Sequence, residues 1–263
     1  MNLIKAGAGT AITQVTEAAD HVTITIPAGK GGALKAIGLQ VLPVLETVVD
    51  SGGLVTVRNS SADWTPLELL TATGSVVTES GNSVFAPMVY EINKLLPGNS
   101  SVYFNYTPYD NQSQCLKAFL IWEQGVTPAK ETFVKTKFVK KADAVSATAR
   151  ASPGIIVIPG AKGGQAKALA ALPFGTLETV VSSGGLVEFE LDAFDITPCQ
   201  FYSTEAQAVG ASGGGTTYPQ IIPYIAPVPE NSTYTVYYTP FDDQSQTLAT
   251  SVIWERPYGT KRV

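Results

Sequence analysis

The chain has 263 residues, 44% of them hydrophobic and only 15% charged, with a formal net charge of −5. That length holds two domains with a core each, and so few charges exclude a disordered or coiled-coil chain. The acidic balance excludes a general nucleic-acid binder.

Residues 1–21 are polar and rich in Gly, Ala and Thr, and read as an N-terminal arm. They hold no apolar run of the kind that forms a signal-peptide core, and no stretch of the chain is apolar for long enough to suggest a spanning helix. The expectation is a soluble product made in the cytoplasm. The sole histidine, His21, stands at the edge of the first expected strand.

From there about eight short strands are expected: Val22–Ile26, Leu34–Leu42, Val44–Val49, Leu54–Arg58, Pro66–Ala72, Met88–Ile92, Ser101–Thr107 and Leu116–Trp122. They are rich in β-branched and aromatic residues and are separated by turn residues. Val102, Phe104 and Tyr106 alternate with Tyr103 and Asn105, the period of a half-buried strand. Ser51-Gly52-Gly53 reads as a hairpin turn, and Pro97-Gly98-Asn99 as the turn into the penultimate strand. The Gly/Ser/Thr-rich stretch Ala72–Phe85 reads as a loop.

The whole series then repeats. Ile24–Glu123 returns as Ile156–Glu255 at a constant offset of 132, with about two positions in five identical, a true internal duplication. Leu45–Val55 (LETVVDSGGLV) matches Leu177–Val187 (LETVVSSGGLV), and Tyr106–Glu123 matches Tyr238–Glu255. The expected fold is therefore all-β, with two tandem eight-stranded antiparallel sandwiches of jelly-roll type at 22–123 and 154–255. The loop matching Ala72–Phe85 is Thr204–Thr217.

Between the copies lies a basic linker, 124–153, carrying Lys130, Lys135, Lys137, Lys140, Lys141 and Arg150 against Glu131 and Asp143, a net +4. The tail 256–263 adds Arg256, Lys261 and Arg262, a net +3, which leaves −12 on the remainder. Ala142–Ala151 within the linker has the composition for a short helix.

No residue set points to catalysis, a cofactor or a metal. Triads and histidine metal sites need histidines that this chain lacks. Asp63/Asp195, Asp110/Asp242, Glu46/Glu178 and Glu123/Glu255 recur in both copies, but an acid pair for glycoside hydrolysis needs a separation that sequence does not give. The oxygen-rich loops beginning at Asp110 and Asp242 could hold calcium, but read better as Asx-type turns. Ala28-Gly29-Lys30-Gly31-Gly32 lacks the ending of a phosphate loop and reads as a strand connection. Trp122 and Trp254 read as core caps rather than sugar platforms. Cys115 and Cys199 occupy non-equivalent repeat positions, which favours free thiols. Of five glycosylation sequons, Asn99 and Asn231 are equivalent turn positions.

Two fused eight-stranded units at 22–123 and 154–255, few charges and no catalytic set resemble the double jelly-roll major capsid proteins of icosahedral viruses. The resemblance implies a non-enzymatic structural protein of the virion, assembled in the host cytoplasm as pseudo-hexameric trimers. Its partners would be copies of itself and other capsid proteins. The basic linker and tail would face an internal membrane or genome. On this reading, reversing Lys135, Lys137, Lys140 and Lys141 to Glu is expected to spare folding and impair particle filling. A tandem carbohydrate-binding protein and a non-viral surface or filament subunit are the alternatives.

Overall fold

The computed structural model describes residues 1–11, 16–43, 49–76, 87–109, 114–140, 154–175, 181–192, 196–203, 206–208, 216–240 and 246–259. Every regular element among them is a strand. In chain order the first copy contains β1 (Asn2–Ala8), β2 (Ala18–Ile26), β3 (Gly32–Pro43), β4 (Val49–Ser51), β5 (Gly53–Asn59), β6 (Glu68–Leu70), β7 (Thr73–Val76), β8 (Met88–Leu96), β9 (Ser100–Pro108) and β10 (Gln114–Gln124). The second contains β11 (Lys130–Lys140), β12 (Gly154–Val157), β13 (Gly164–Gly175), β14 (Val181–Ser183), β15 (Gly185–Leu191), β16 (Ile196–Tyr202), β17 (Ala206–Ala208), β18 (Thr216–Thr217), β19 (Gln220–Pro223), β20 (Pro227–Val228), β21 (Thr233–Pro240) and β22 (Gln246–Pro257).

In the first copy one sheet has the order β1-β10-β3-β8 and the other β2-β9-β5-β6. In the second the orders are β11-β22-β13-β19, with β20 also on β13, and β12-β21-β15-β16. Both are the two four-stranded sheets of a jelly roll, so the expected fold class holds. Strand alternation buries one face of each sheet. Val22, Ile24 and Ile26 meet Val102, Phe104 and Tyr106 inside, while Thr23 and Thr25 face out.

The segments expected to be an arm and a linker each carry the first strand of a jelly roll. β1 pairs with β10 from Asn2↔Glu123 to Ala8↔Lys117, and β11 pairs with β22 from Lys130↔Pro257 to Lys140↔Thr247. Leu3 faces Trp122 and Phe133 faces Trp254, so these strands correspond at an offset of 130, two short of the rest. That slip hides the match in the sequence. The expected helix Ala142–Ala151 and most of the expected strand Val44–Val49 lie outside the described residues. So do Asp110, Asp242, Glu46, Glu178, Asp195, Asn111, Lys141, Arg150 and the end of the tail.

Ser51-Gly52-Gly53 is no hairpin. β4 pairs with β7, whereas β5 pairs with β6 and β9, so the chain changes partners there. Gly52 has φ 142°, and a Cβ on Gly53 would lie 2.3 Å from the Thr107 carbonyl oxygen, which is why glycines stand there. Asn99 and Asn231 both adopt φ 56° in equivalent turns, as their residue type allows.

Candidate assembly interface

The two jelly rolls meet through different surfaces. The first presents the edge where β6 and β8, the last strands of its two sheets, lie side by side. The second presents the outward face of β11, β22 and β13. Across that face runs the row Val134–Ile253–Ala168. All three belong to the hydrophobic core of the first copy, closing the gap between its sheets. Two rows along, beyond Thr136–Ser251–Ala170, Leu70 forms a buried cluster with Leu172 and Ala249, against which Phe138 and Tyr109 pack. A lone parallel bridge joins Leu67 to Val134, and Val134 N–H donates to the Pro66 carbonyl at 3.2 Å.

Polar contacts frame these apolar rows. Glu68 accepts from Lys135 Nζ at 2.5 Å and from Thr136 N–H at 3.0 Å, and its carbonyl accepts from Thr136 Oγ1 at 2.9 Å. Asn93 N–H donates to Thr132 Oγ1 at 3.0 Å, and its Nδ2 donates to Glu255 at 3.2 Å. A bulge in β13 at Lys167 lets that side chain reach Glu91 and Glu255, at 3.6 and 3.4 Å. Burial works to raise the Glu255 pKa, but Lys167, the Asn93 hydrogen bond and Lys130 outweigh it and hold the carboxyl low. Asp63 behaves alike: burial opposes, and Lys162 with the Thr65 N–H prevails.

Lys94 is the exception. Its side chain is 0% exposed, its Nζ has no hydrogen-bond partner, and it lies 3.6 Å from the centre of the Phe133 ring. Burial pushes its pKa down to about 7, Glu131 and Asp63 pull it back, and Lys162 and Arg256 add to the depression.

Several basic residues expected to line an interior surface are paired within the chain, Lys135 across this interface and the other two inside the second copy. Lys135 pairs with Glu68, Lys130 with Glu255, and Arg256 with Glu131 at 2.9 Å. Lys135 is expected to tolerate reversal, yet it faces Glu68 here, and a glutamate at that position would set two carboxylates together.

The other sequence candidates that are described make contacts within the fold. Trp64, Trp122 and Trp254 are buried, and each indole donates to a carbonyl: Leu95, Lys30 and Lys162. His21 Nε2 accepts from Leu116 N–H at 3.3 Å, and burial lowers its pKa. Gln114, at the end of one oxygen-rich loop, accepts from Gly52 N–H and Tyr106 Oη. Gly32, in the connection expected to bind no phosphate, lies too close to the Glu123 carbonyl for any Cβ. Cys115 and Cys199 are free thiols.

Duplication means that each half of this interface exists twice, once covered and once open. In the first copy the row equivalent to Val134–Ile253–Ala168 is Ile4–Ile121–Ala36. Val134 is 1% exposed and Ile4 is 69% exposed. In the second copy the edge equivalent to β6 and β8 is β16 and β19. Leu70 becomes Tyr202, from 1% to 66% exposed, and Asn93 becomes Ile225, 78% exposed. Among the described residues, the second core takes in no hydrophobic side chain from the first copy. The sequence reading missed this interface because its halves carry no motif. The signal was available only in the repeat, as apolar residues in the second copy where the first has polar ones.

The chain matches no known family model, and no curated protein is similar to it. Among solved structures it is similar over 100% of both chains to the major capsid protein P2 of bacteriophage PM2, with 10% identity and a TM-score of 0.39. It is also similar to PNGF-II, with 8% identity and a TM-score of 0.47, over 97% of this chain and 66% of that one. A third similar structure is the CBM22-1-CBM22-2 tandem domain of Paenibacillus barcinonensis Xyn10C, with 10% identity and a TM-score of 0.24, over 97% of this chain and 91% of that one. These scores are low, and the jelly-roll assignment rests on the strand order itself.

Proposed function

We propose that this chain is a structural, non-enzymatic protein that assembles with copies of itself into a closed shell, as a viral major capsid protein of the virion. The observation that carries this reading is the pair of open faces. The outward β1–β10–β3 face of one chain matches the β16–β19 edge of another as their equivalents match within one chain. A contact of this kind is heterologous, and it continues head to tail until rotation closes it into a ring. If every jelly roll meets its neighbour alike, a ring of three chains contains six equivalent units. Such near-hexagonal blocks tile a shell.

The open edge is more apolar than its internal counterpart, with Ile221, Pro223 and Ile225 where the first copy has Val89, Glu91 and Asn93. That substitution favours contact with protein over contact with water. A carbohydrate-binding reading has no comparable support, since the tryptophans it would use are buried. No separate surface for lipid or genome enters the proposal, because Lys130, Lys135 and Arg256 are paired internally.

Light scattering with negative-stain microscopy on the purified chain tests the reading. Trimers, hexagonal tiles or shells are expected. A species that stays at the 27.7 kDa of one chain at high concentration would overturn it.

A further inference from the structure

Within the chain, Leu70 sits on a cross-strand row formed by Phe138, Ala249 and Leu172. The equivalent row on the open face of the first copy is Ala8, Lys117 and Gln40. Next to it lie Ala6, Phe119 and Gly38, matching Thr136, Ser251 and Ala170. The large side chain at the strand position has become small, Phe138 to Ala8. Ala6, Gly7, Ala8, Gln40, Lys117 and Phe119 accordingly line a shallow groove of about 440 Å³. A Cβ on Gly38 would lie 2.0 Å from the Phe119 ring, so that glycine lets Phe119 lie flat and floor the groove.

The residue equivalent to Leu70 has changed in the opposite sense. Tyr202 is held opposite Leu186 as Leu70 is held opposite Leu54, so the two side chains leave equivalent strands at the same register. The edge residue grows by a ring, and the receiving row loses one at its β1 position, while Lys117 stands where Ala249 does and Phe119 where Ser251 does. The receiving face is thereby reshaped, with space opened at β1 beside an aromatic floor.

We infer that Tyr202 of one chain is the anchor that fills the Ala8–Lys117–Gln40 groove of the next. The occupant is therefore a second copy of this chain, and the inference rests on the assembly reading above. The tyrosine ring packs on Phe119 and the alanines, and its hydroxyl meets the polar ends of Lys117 and Gln40. Aromatic anchors with a polar tip commonly dominate protein interfaces.

The test is a swap within the full-length chain, read by the concentration at which half the protein is assembled. Wild-type assembly is measured first, and a monomeric wild type overturns both the assembly reading and this inference. Given assembly, Tyr202→Ala should raise that concentration by about tenfold or more. Ala8→Phe with Lys117→Ala, which copies the internal row, should block Tyr202 to a similar extent. Adding Tyr202→Leu to that pair rebuilds the Leu70 arrangement and should restore assembly. Circular dichroism melts of each variant separate misfolding from lost contact. Assembly unchanged by Tyr202→Ala in a folded chain overturns the inference while leaving the assembly reading standing, as does a triple variant no better than the groove pair.

Discussion

Val134 and Ile4 occupy the same position of the same strand in two jelly rolls that share their fold, and their surroundings are opposite. Val134 lies under the first copy, and Ile4 faces solvent. Inside each sandwich the alternation of buried positions is kept while many of the side chains are exchanged, as where Leu34 and Val57 become Ala166 and Phe189. Trp122 and Trp254 are both buried, and each donates to the carbonyl of a lysine, Lys30 and Lys162, in the same connection. The residues that look inward obey the packing of their own unit, with a few positions such as Ile24/Ile156 and Tyr106/Tyr238 unchanged. The residues that look outward obey whatever covers them. In one copy that is a described neighbour, and in the other it is the proposed next chain.

That contrast can be broken deliberately. The largest effect should come from Val134→Asp, which places a carboxyl in the covered row. It is expected to lower unfolding free energy by roughly 4 kcal/mol in a urea titration. Ile4→Asp should change it by no more than about 0.5 kcal/mol in the dispersed chain while abolishing assembly. Equal losses of stability at the two sites would erase the distinction.

Next comes the polar frame. Glu68→Ala leaves Lys135 and the Thr136 N–H without their acceptor, and should cost roughly 3 kcal/mol. The equivalent Gln200→Ala removes only an exposed hydrogen bond to Glu188 and should cost about 0.5 kcal/mol or less. Matched urea curves for the two variants decide the point.

A smaller and pH-dependent effect is expected at Lys94, whose counterpart is the apolar Ala226. The folded chain holds the Lys94 pKa near 7 against an ordinary 10.5. Between those values the unfolded chain binds more protons, so stability should rise with pH across that window and fall as pH drops towards 7. Lys94→Met should remove this slope and stabilise the chain by roughly 1–2 kcal/mol at pH 7. Urea midpoints at pH 7 and pH 9 measure both, and a wild-type midpoint that falls between them would contradict the buried-amine argument.

Much of the fold was legible because the repeat fixes register. The strands around Ile24, Val57, Phe104 and Leu120 carry an inward period of two, and turn residues separate them. β1 was not legible. NLIKAGA has little β propensity and no apolar alternation, since it is an edge strand exposed on one face, and its two-residue slip hides its kinship with β11. Ser-Gly-Gly misled for a related reason: glycine marks a positive φ or a close approach, and it does not say whether the flanking strands pair.

Of the proposed assembly surface, sequence supplied the residues and not their meaning. By itself it determined an all-β chain of two homologous sandwiches, because periodicity and duplication are local properties that survive without coordinates. Only the tertiary structure decided that Lys135 answers Glu68, that Lys94 is buried under Phe133, and that Ile4 and Tyr202 stand where their counterparts are covered. Those facts depend on how one unit is placed against the other. That placement comes from many weak contacts between residues far apart in the chain, and no window of sequence contains them.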